Sequence, residues 1–170
     1  MSLSQIDLPS SVKSIGENAF KNCISLAKIN WPDNLETIGD YAFYNCVSLS
    51  EINLPNSVKD VGRYAFYGCG PLSIVLSENI ETIGMYAFYG CQISEITFPE
   101  SISDIESYAF GNCFELRTIN IKNPTPPTTH CQNLFVPYIG KIAVLNVPVG
   151  AAELYKRYWS NFKTINEVNF

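Results

Sequence analysis

The segment Ala-Phe-x-x-Cys occurs five times at almost constant spacing, and no other feature of the chain constrains its fold as strongly. It reads Ala19-Phe20 to Cys23, Ala42-Phe43 to Cys46, Ala65-Phe66 to Cys69, Ala87-Phe88 to Cys91 and Ala109-Phe110 to Cys113, so successive Phe residues are 23, 23, 22 and 22 apart. A period in this range marks a unit that cannot bury its apolar face alone and must stack on copies of itself. Equivalent positions then form lines along the stack, buried or displayed as sets.

Each unit divides into three pieces. The first follows Leu-x-x-Ile-x-apolar-Pro, as in residues 3–9, 26–32 and 49–55. Its alternation predicts a strand with Ile29 and Trp31 inward and Lys28 and Asn30 outward. Pro9, Pro32, Pro55 and Pro99 end the strand because proline has no N–H for the ladder, and Ser77 replaces proline in the fourth unit. The second piece, Ser-Val-x-x-Ile-Gly, recurs with variations at 11–16, 34–39, 57–62 and 79–84. Its glycine suits a tight turn of positive φ. Glu106 stands where that glycine belongs in the fifth unit, so that turn is expected to differ in shape or to carry strain. The third piece is the Ala-Phe-x-x-Cys segment, expected to form one or two helical turns, since Ile38 and Ala42, and Phe43 and Cys46, share a helical face.

Five of the six cysteines occupy one position of the repeat. Parallel Cβ atoms on coils about 5 Å apart stay wider than the ~3.8 Å a disulfide prefers, so these five are expected to be free, buried thiols. Cys131 lies outside the column and is expected to be exposed.

The period stops after Ile121. Residues 122–129 contain Pro124, Pro126 and Pro127 and read as an extended link. A strand ending at Pro148 follows, then a helix with Leu154, Tyr155, Tyr158 and Trp159 on one side. The terminal coil of a stack must cover its apolar end, so residues 122–170 are expected to cap a solenoid formed by residues 1–121. No comparable cap precedes the first unit. Its edge is expected to continue into further repeats of a longer protein or to pair edge-to-edge with another chain.

Composition removes some functions. Eleven basic against sixteen acidic residues, with no run of either sign, offers nucleic acid or anionic membrane no clustered Lys and Arg. No apolar run reaches the roughly 18 residues of a membrane helix. The one histidine, His130, adjoins Cys131, and neighbours on an extended segment rarely face each other as a nucleophile pair must. There is no C-x-x-C, no second histidine and no glycine-rich phosphate loop, so neither catalysis, metal nor cofactor is expected.

Two sets of displayed residues remain. The outward strand positions form the columns Gln5, Lys28, Glu51, Ser73, Glu95, Thr118 and Asp7, Asn30, Asn53, Val75, Thr97, Asn120. They are either a plain solvated face or a hydrogen-bonding surface for a protein or glycan, of which Lys28, Asn30, Glu51, Asn53, Glu95 and Thr97 are the candidate contacts. Extended repeat sheets are common binding surfaces. Tyr41, Tyr64, Tyr86 and Tyr108 precede the Ala, and Tyr44, Tyr67 and Tyr89 follow the Phe. Ring stacking alone accounts for such columns; an adhesive stripe at Tyr44, Tyr67 and Tyr89 is the alternative.

At these residues the sequence resembles the BspA-type, or Treponema pallidum-type, leucine-rich repeat family, whose unit runs Leu-x-x-Ile-x-Ile-Pro-x-x-Val-x-x-Ile-Gly-x-x-Ala-Phe-x-x-Cys. The tail, with Val147-Pro148-Val149-Gly150 followed by Tyr155-Lys156 and an aromatic, is similar to the family's usual ending. The resemblance implies an α/β repeat solenoid: a right-handed leucine-rich-repeat coil with short strands on the concave side, short helical turns on the convex side and a C-terminal cap. It also implies a secreted or cell-surface protein that adheres to host extracellular-matrix or microbial surface proteins or glycans. A structural stalk or spacer presenting another domain is the alternative.

Overall fold

The structure is a computed structural model that describes residues 3–70, 73–128, 134–135 and 139–170. Each of the first five coils contributes a short strand and then a two-residue strand: β1 (Gln5–Asp7) and β2 (Ser14–Ile15), β3 (Lys28–Asn30) and β4 (Thr37–Ile38), β5 (Glu51–Asn53) and β6 (Asp60–Val61), β7 (Ser73–Val75) and β8 (Thr82–Ile83), β9 (Glu95–Phe98) and β10 (Asp104–Ile105). Three more follow, β11 (Thr118–Ile121), β12 (Val144–Pro148) and β13 (Thr164–Val168).

All pairing is parallel and keeps the repeat register: Ile6 faces Ile29, Ile52 faces Ile74, and Ile96 faces Ile119, which faces Leu145. Alternation puts these residues into one continuous core, while the positions on either side of each point outward. The first strands form a sheet in three hydrogen-bonded sections, β1–β3, β5–β7 and β9–β11–β12–β13. Trp31 is half-buried beneath it, edge-on to Phe43 and Phe66 at 5.5 and 6.5 Å.

The second piece of the repeat is a strand as well as a turn. Strands β2, β4, β6, β8 and β10 make a five-stranded parallel sheet. The expectation of positive φ at its glycine is corrected: Gly16, Gly39, Gly62 and Gly84 are not among the positive-φ residues. Close approach explains Gly39, Gly62 and Gly84 instead, while Gly16 on the first coil has open space around it. A Cβ on Gly62 would lie 2.7 Å from Asp40 N and Gly39 C, and one on Gly84 2.7 Å from Arg63 N and Gly62 C. Glu106 leaves the coil unchanged in outline, its N–H bonding Ile83 O at 2.8 Å as Gly84 N–H bonds Val61 O at 2.8 Å. Ser77 likewise preserves the proline's turn, its carbonyl accepting from Ile80 N–H at 3.3 Å and its hydroxyl from Asn79 N–H at 3.0 Å.

The Ala-Phe-x-x-Cys segments are not helical turns. In the second coil Tyr41, Phe43 and Asn45 donate their N–H groups to Arg63, Ala65 and Tyr67 carbonyls of the next coil at 2.7–2.8 Å. The alternate donors Ala42, Tyr44 and Cys46 reach three residues back, at 3.1–3.3 Å. The left-handed φ of Tyr41 (56°) and Asn45 (58°) turns every second N–H along the stack, which a helix cannot do. The α/β expectation is therefore corrected to a solenoid of strands and turns, whose helices among the described residues are α1 (Ile139–Ile142) and α2 (Ala152–Tyr158).

The tail extends the same architecture. Residues 122–128 run beside the second sheet, where Thr128 bridges to Asp104, and β12 and β13 add to β11 in register. In α2 the expected apolar side splits: Tyr155 and Trp159 are buried, while Leu154 and Tyr158 are exposed. The Tyr155 hydroxyl donates to Asn123 O at 2.8 Å, tying the helix to the proline-rich segment.

Candidate functional site: the displayed columns

Stacking begins in the core. Phe20, Phe43, Phe66, Phe88 and Phe110 form one column with ring centroids 5.1–5.2 Å apart. Beside it Cys46, Cys69, Cys91 and Cys113 are buried, and each thiol donates to the carbonyl of the Phe one coil back, at 3.1–3.4 Å. Burial pushes the Cys46 and Cys113 thiols up to about 12 and raises those of Cys69 and Cys91 as well. Inert thiols of this kind act as packing residues. Cys23 is half-buried, and the five described cysteines are free. His130 and Cys131 lie outside the described residues.

Above the Phe column stands a double row of tyrosine. Tyr41, Tyr64, Tyr86 and Tyr108 stack at 4.8–5.2 Å, and Tyr44, Tyr67 and Tyr89 at 5.0 Å. The rows touch through pairs such as Tyr64 and Tyr67 at 5.7 Å. The first row holds φ of 56–58° at every tyrosine, a cost of roughly 1–2 kcal/mol each that stacking of about 0.5–1.5 kcal/mol per pair offsets in part. Partial burial, and then the neighbouring hydroxyls, raise the Tyr64 and Tyr67 hydroxyls above the ordinary value of 10.0. Face-to-face stacking leaves each tyrosine half-buried, and the Tyr89 hydroxyl accepts from Asn112 Nδ2 at 2.6 Å. The end faces are covered too: the Lys21 ammonium lies 4.7 Å from the Tyr41 centroid and 5.4 Å from that of Tyr44, and the Tyr89 ring lies where a Cβ on Gly111 would be, 2.7 Å from Cδ2. The covering by Lys21 and Gly111 was not anticipated; their place in line with Tyr44, Tyr67 and Tyr89 was the available signal.

On the sheet, Lys28, Asn30, Glu51, Asn53 and Glu95 are exposed and Thr97 is half-buried. The columns pair as expected within each section, Gln5 with Lys28, Asp7 with Asn30, Glu51 with Ser73, Asn53 with Val75 and Thr97 with Asn120. They do not form one uninterrupted ladder, because β3 is unpaired with β5 and β7 with β9. The second column continues into the tail: Asn120 Nδ2 donates to Glu95 Oε1 at 2.7 Å and Thr97 Oγ1 at 3.2 Å, Asn146 Nδ2 to Asn120 Oδ1 at 2.8 Å, and Asn166 Nδ2 to Asn146 Oδ1 at 3.3 Å. Asn146 and Asn166 were missed in the sequence, although Leu145-Asn146-Val147 repeats the alternation of Ile119-Asn120-Ile121.

A third surface crosses the second sheet, a shallow groove lined in part by Asp40, Asp60, Arg63, Thr82 and Glu106. Its groups are largely engaged with one another. Arg63 Nε meets Glu106 Oε2 at 3.1 Å, Met85 N–H donates to the same oxygen at 3.0 Å, and Thr82 Oγ1 donates to Asp60 Oδ1 at 2.6 Å. Among the described residues no group of three or more His, Cys, Asp or Glu is arranged to hold a metal ion, and no helix is long and apolar enough to cross a membrane.

Comparison with known proteins places this geometry. The chain resembles the crystal structure of the Treponema pallidum leucine-rich repeat protein with a TM-score of 0.69 at 24% identity, over 99% of this chain and 71% of that one. It also resembles a leucine-rich cell surface protein of Faecalibacterium prausnitzii, with a TM-score of 0.58 at 27% identity over 74% of this chain and 40% of that one. A comparison with curated proteins found no match. The model of the BspA type leucine rich repeat region matches six copies, over residues 1–113 and 59–170. The matched residues take in the repeats and the tail alike, and the chain belongs to the BspA-type leucine-rich repeat family.

Proposed function

We propose that the chain is a non-enzymatic interaction module of a cell-surface or secreted adhesin-like protein, binding host or microbial proteins or glycans across its repeat surface. The observation that carries this is the register: one motif position becomes a displayed line, of like rings in the tyrosine rows and of mostly polar side chains in the strand columns. Such a surface makes many weak contacts over an area, which suits recognition rather than turnover. The similarity to a protein described as a leucine rich cell surface protein supports the location. In this proposal residues 122–170 cap the apolar end of the stack, supported by Phe135, which lies 6.1 Å from Phe110 and 5.8 Å from Trp159.

The test is surface plasmon resonance of the purified chain over immobilised extracellular-matrix proteins, bacterial surface proteins and oligosaccharides. Saturable binding to a subset of them is expected. Uniformly flat responses would identify a spacer instead.

A further inference from the structure

The outward side chains of the sheet differ in one respect along the stack. Along the asparagine column they bond to one another on β1–β3 and from β9 onward: Asn30 Nδ2 to Asp7, Asn120 to Glu95 and Thr97, and Asn146 and Asn166 onward along the column. Across β5 and β7, and at Lys28 on β3, they do not. Among the described residues Lys28, Glu51, Asn53 and Ser73 have no hydrogen-bond or ion-pair partner for their side chains, although Lys28 and Glu51 occupy the same column on neighbouring coils. The same stretch contains Val75, 56% exposed, which interrupts the asparagine column. It is also where the sheet is broken on both sides of the β5–β7 pair, with a groove between β7 and β9 lined by Ser73, Ile74, Ser94, Glu95, Ile96 and Thr97.

We propose that the outward face of β3, β5 and β7 is the docking site for an extended peptide segment of the partner bearing one acidic and one basic side chain, the acid meeting Lys28 and the base meeting Glu51. The proposal rests on the interaction-module function and assigns it a place and a chemistry. Charge complementarity selects the occupant. One free cation and one free anion occupy the same column on consecutive coils, whose Phe43 and Phe66 rings lie 5.2 Å apart, within reach of side chains on the same side of an extended segment. Asn53 supplies an amide that can both donate to and accept from the peptide backbone, and Val75 an apolar contact. A neutral glycan fits less well, because the outward columns of this sheet carry no aromatic face for a sugar ring, and the tyrosine rings elsewhere are stacked on one another. Binding here also leaves the asparagine ladder intact, so no internal bond is broken to admit the partner.

The probe is an array of short blocked peptides in a Ser, Thr and Val background, carrying one Asp and one Lys in either order at varied separation, beside neutral hexose oligomers. Fluorescently labelled wild-type protein is expected to prefer one charge order, and peptides lacking either charge to lose about tenfold in retention. The exchange K28E/E51K should invert the preferred order, and Asn53→Ala should weaken both orders alike. Matching thermal melts followed by circular dichroism confirm that the variants are folded. An unchanged order preference in K28E/E51K, or retention of sugars alone, overturns the proposed site while leaving an interaction module in place. Failure of the wild-type protein to retain peptides, oligosaccharides or the proteins of the binding panel overturns both.

Discussion

The thiol of Cys69 donates to the carbonyl oxygen of Phe43, one coil away, at 3.2 Å, and that carbonyl also accepts the Cys46 N–H at 3.2 Å. Each Phe carbonyl of the inner coils is thereby shared between its own turn and the next coil. Ionising the thiol would remove the donor and bury a charge.

The stability of the fold should therefore fall in alkali. The Cys46 and Cys113 thiols are pushed up from 9.0 to about 12, and Cys69 and Cys91 are shifted the same way. The unfolded chain loses these protons first, so the contribution is fully present below pH 9.0 and declines as pH rises toward about 12. For a fully buried thiol the slope approaches about 1.4 kcal/mol per pH unit in that window. Urea unfolding between pH 7 and 10.5 should show it, and Cys91→Ala should make it shallower while Cys46, Cys69 and Cys113 keep the rest. Stability unchanged by pH would contradict the thiol assignment.

The aromatic column predicts a gradient along the chain. Phe66 is fully buried with a ring stacked on each side, whereas Phe20 is half-buried and stacks on Phe43 alone. Phe66→Ala should cost about 3–5 kcal/mol and Phe20→Ala clearly less, measured by denaturant titration. Equal losses would mean the coils do not share one core.

Two glycines at the same repeat position should behave differently. A Cβ at Gly62 meets backbone at 2.7 Å, while one at Gly16 meets nothing within 4 Å. Gly62→Ala should destabilise by about 1–3 kcal/mol, and Gly16→Ala should be neutral or slightly stabilising. Thermal melts of the two variants decide this.

Much of this architecture was legible because a period exposes which positions act together. The core columns, strand register and free cysteines follow from position alone. The turn face was misread because Ile38, Ala42, Phe43 and Cys46 satisfy helical spacing. The decisive clue was the residue before each Cys, Asn22, Asn45, Gly68, Gly90 and Asn112, an Asn or Gly set that takes positive φ throughout. The tyrosines sharing that conformation were hidden, since a bulky residue seldom adopts it; Asn18, at the same position of the first coil, takes φ 58° without a ring, and like Tyr41 and Tyr64 it donates its N–H to the next coil. The engagement of the sheet columns was also hidden: Asn53 and Asn120 look equivalent in sequence, yet Asn120 bonds to Glu95 and Thr97, and Asn53 faces Val75.

The tyrosine rows separate support from contact. Tyr67 stacks on both Tyr44 and Tyr89, so replacing all three by Ser removes a continuous set of ring contacts. Melting temperature should drop, with a loss on the order of 0.5–1.5 kcal/mol for each stacked pair. Partner binding that persists in the folded triple variant would assign these rings to support. Binding lost in proportion would make them an adhesive stripe.

The most direct test of an interaction surface is charge reversal on the sheet itself. Surface plasmon resonance should show that a K28E/E51K/E95K variant, folded by circular dichroism, loses about tenfold or more of the wild-type affinity for whichever panel protein the chain binds. Equal affinity in the two proteins would contradict the assignment of binding to this sheet.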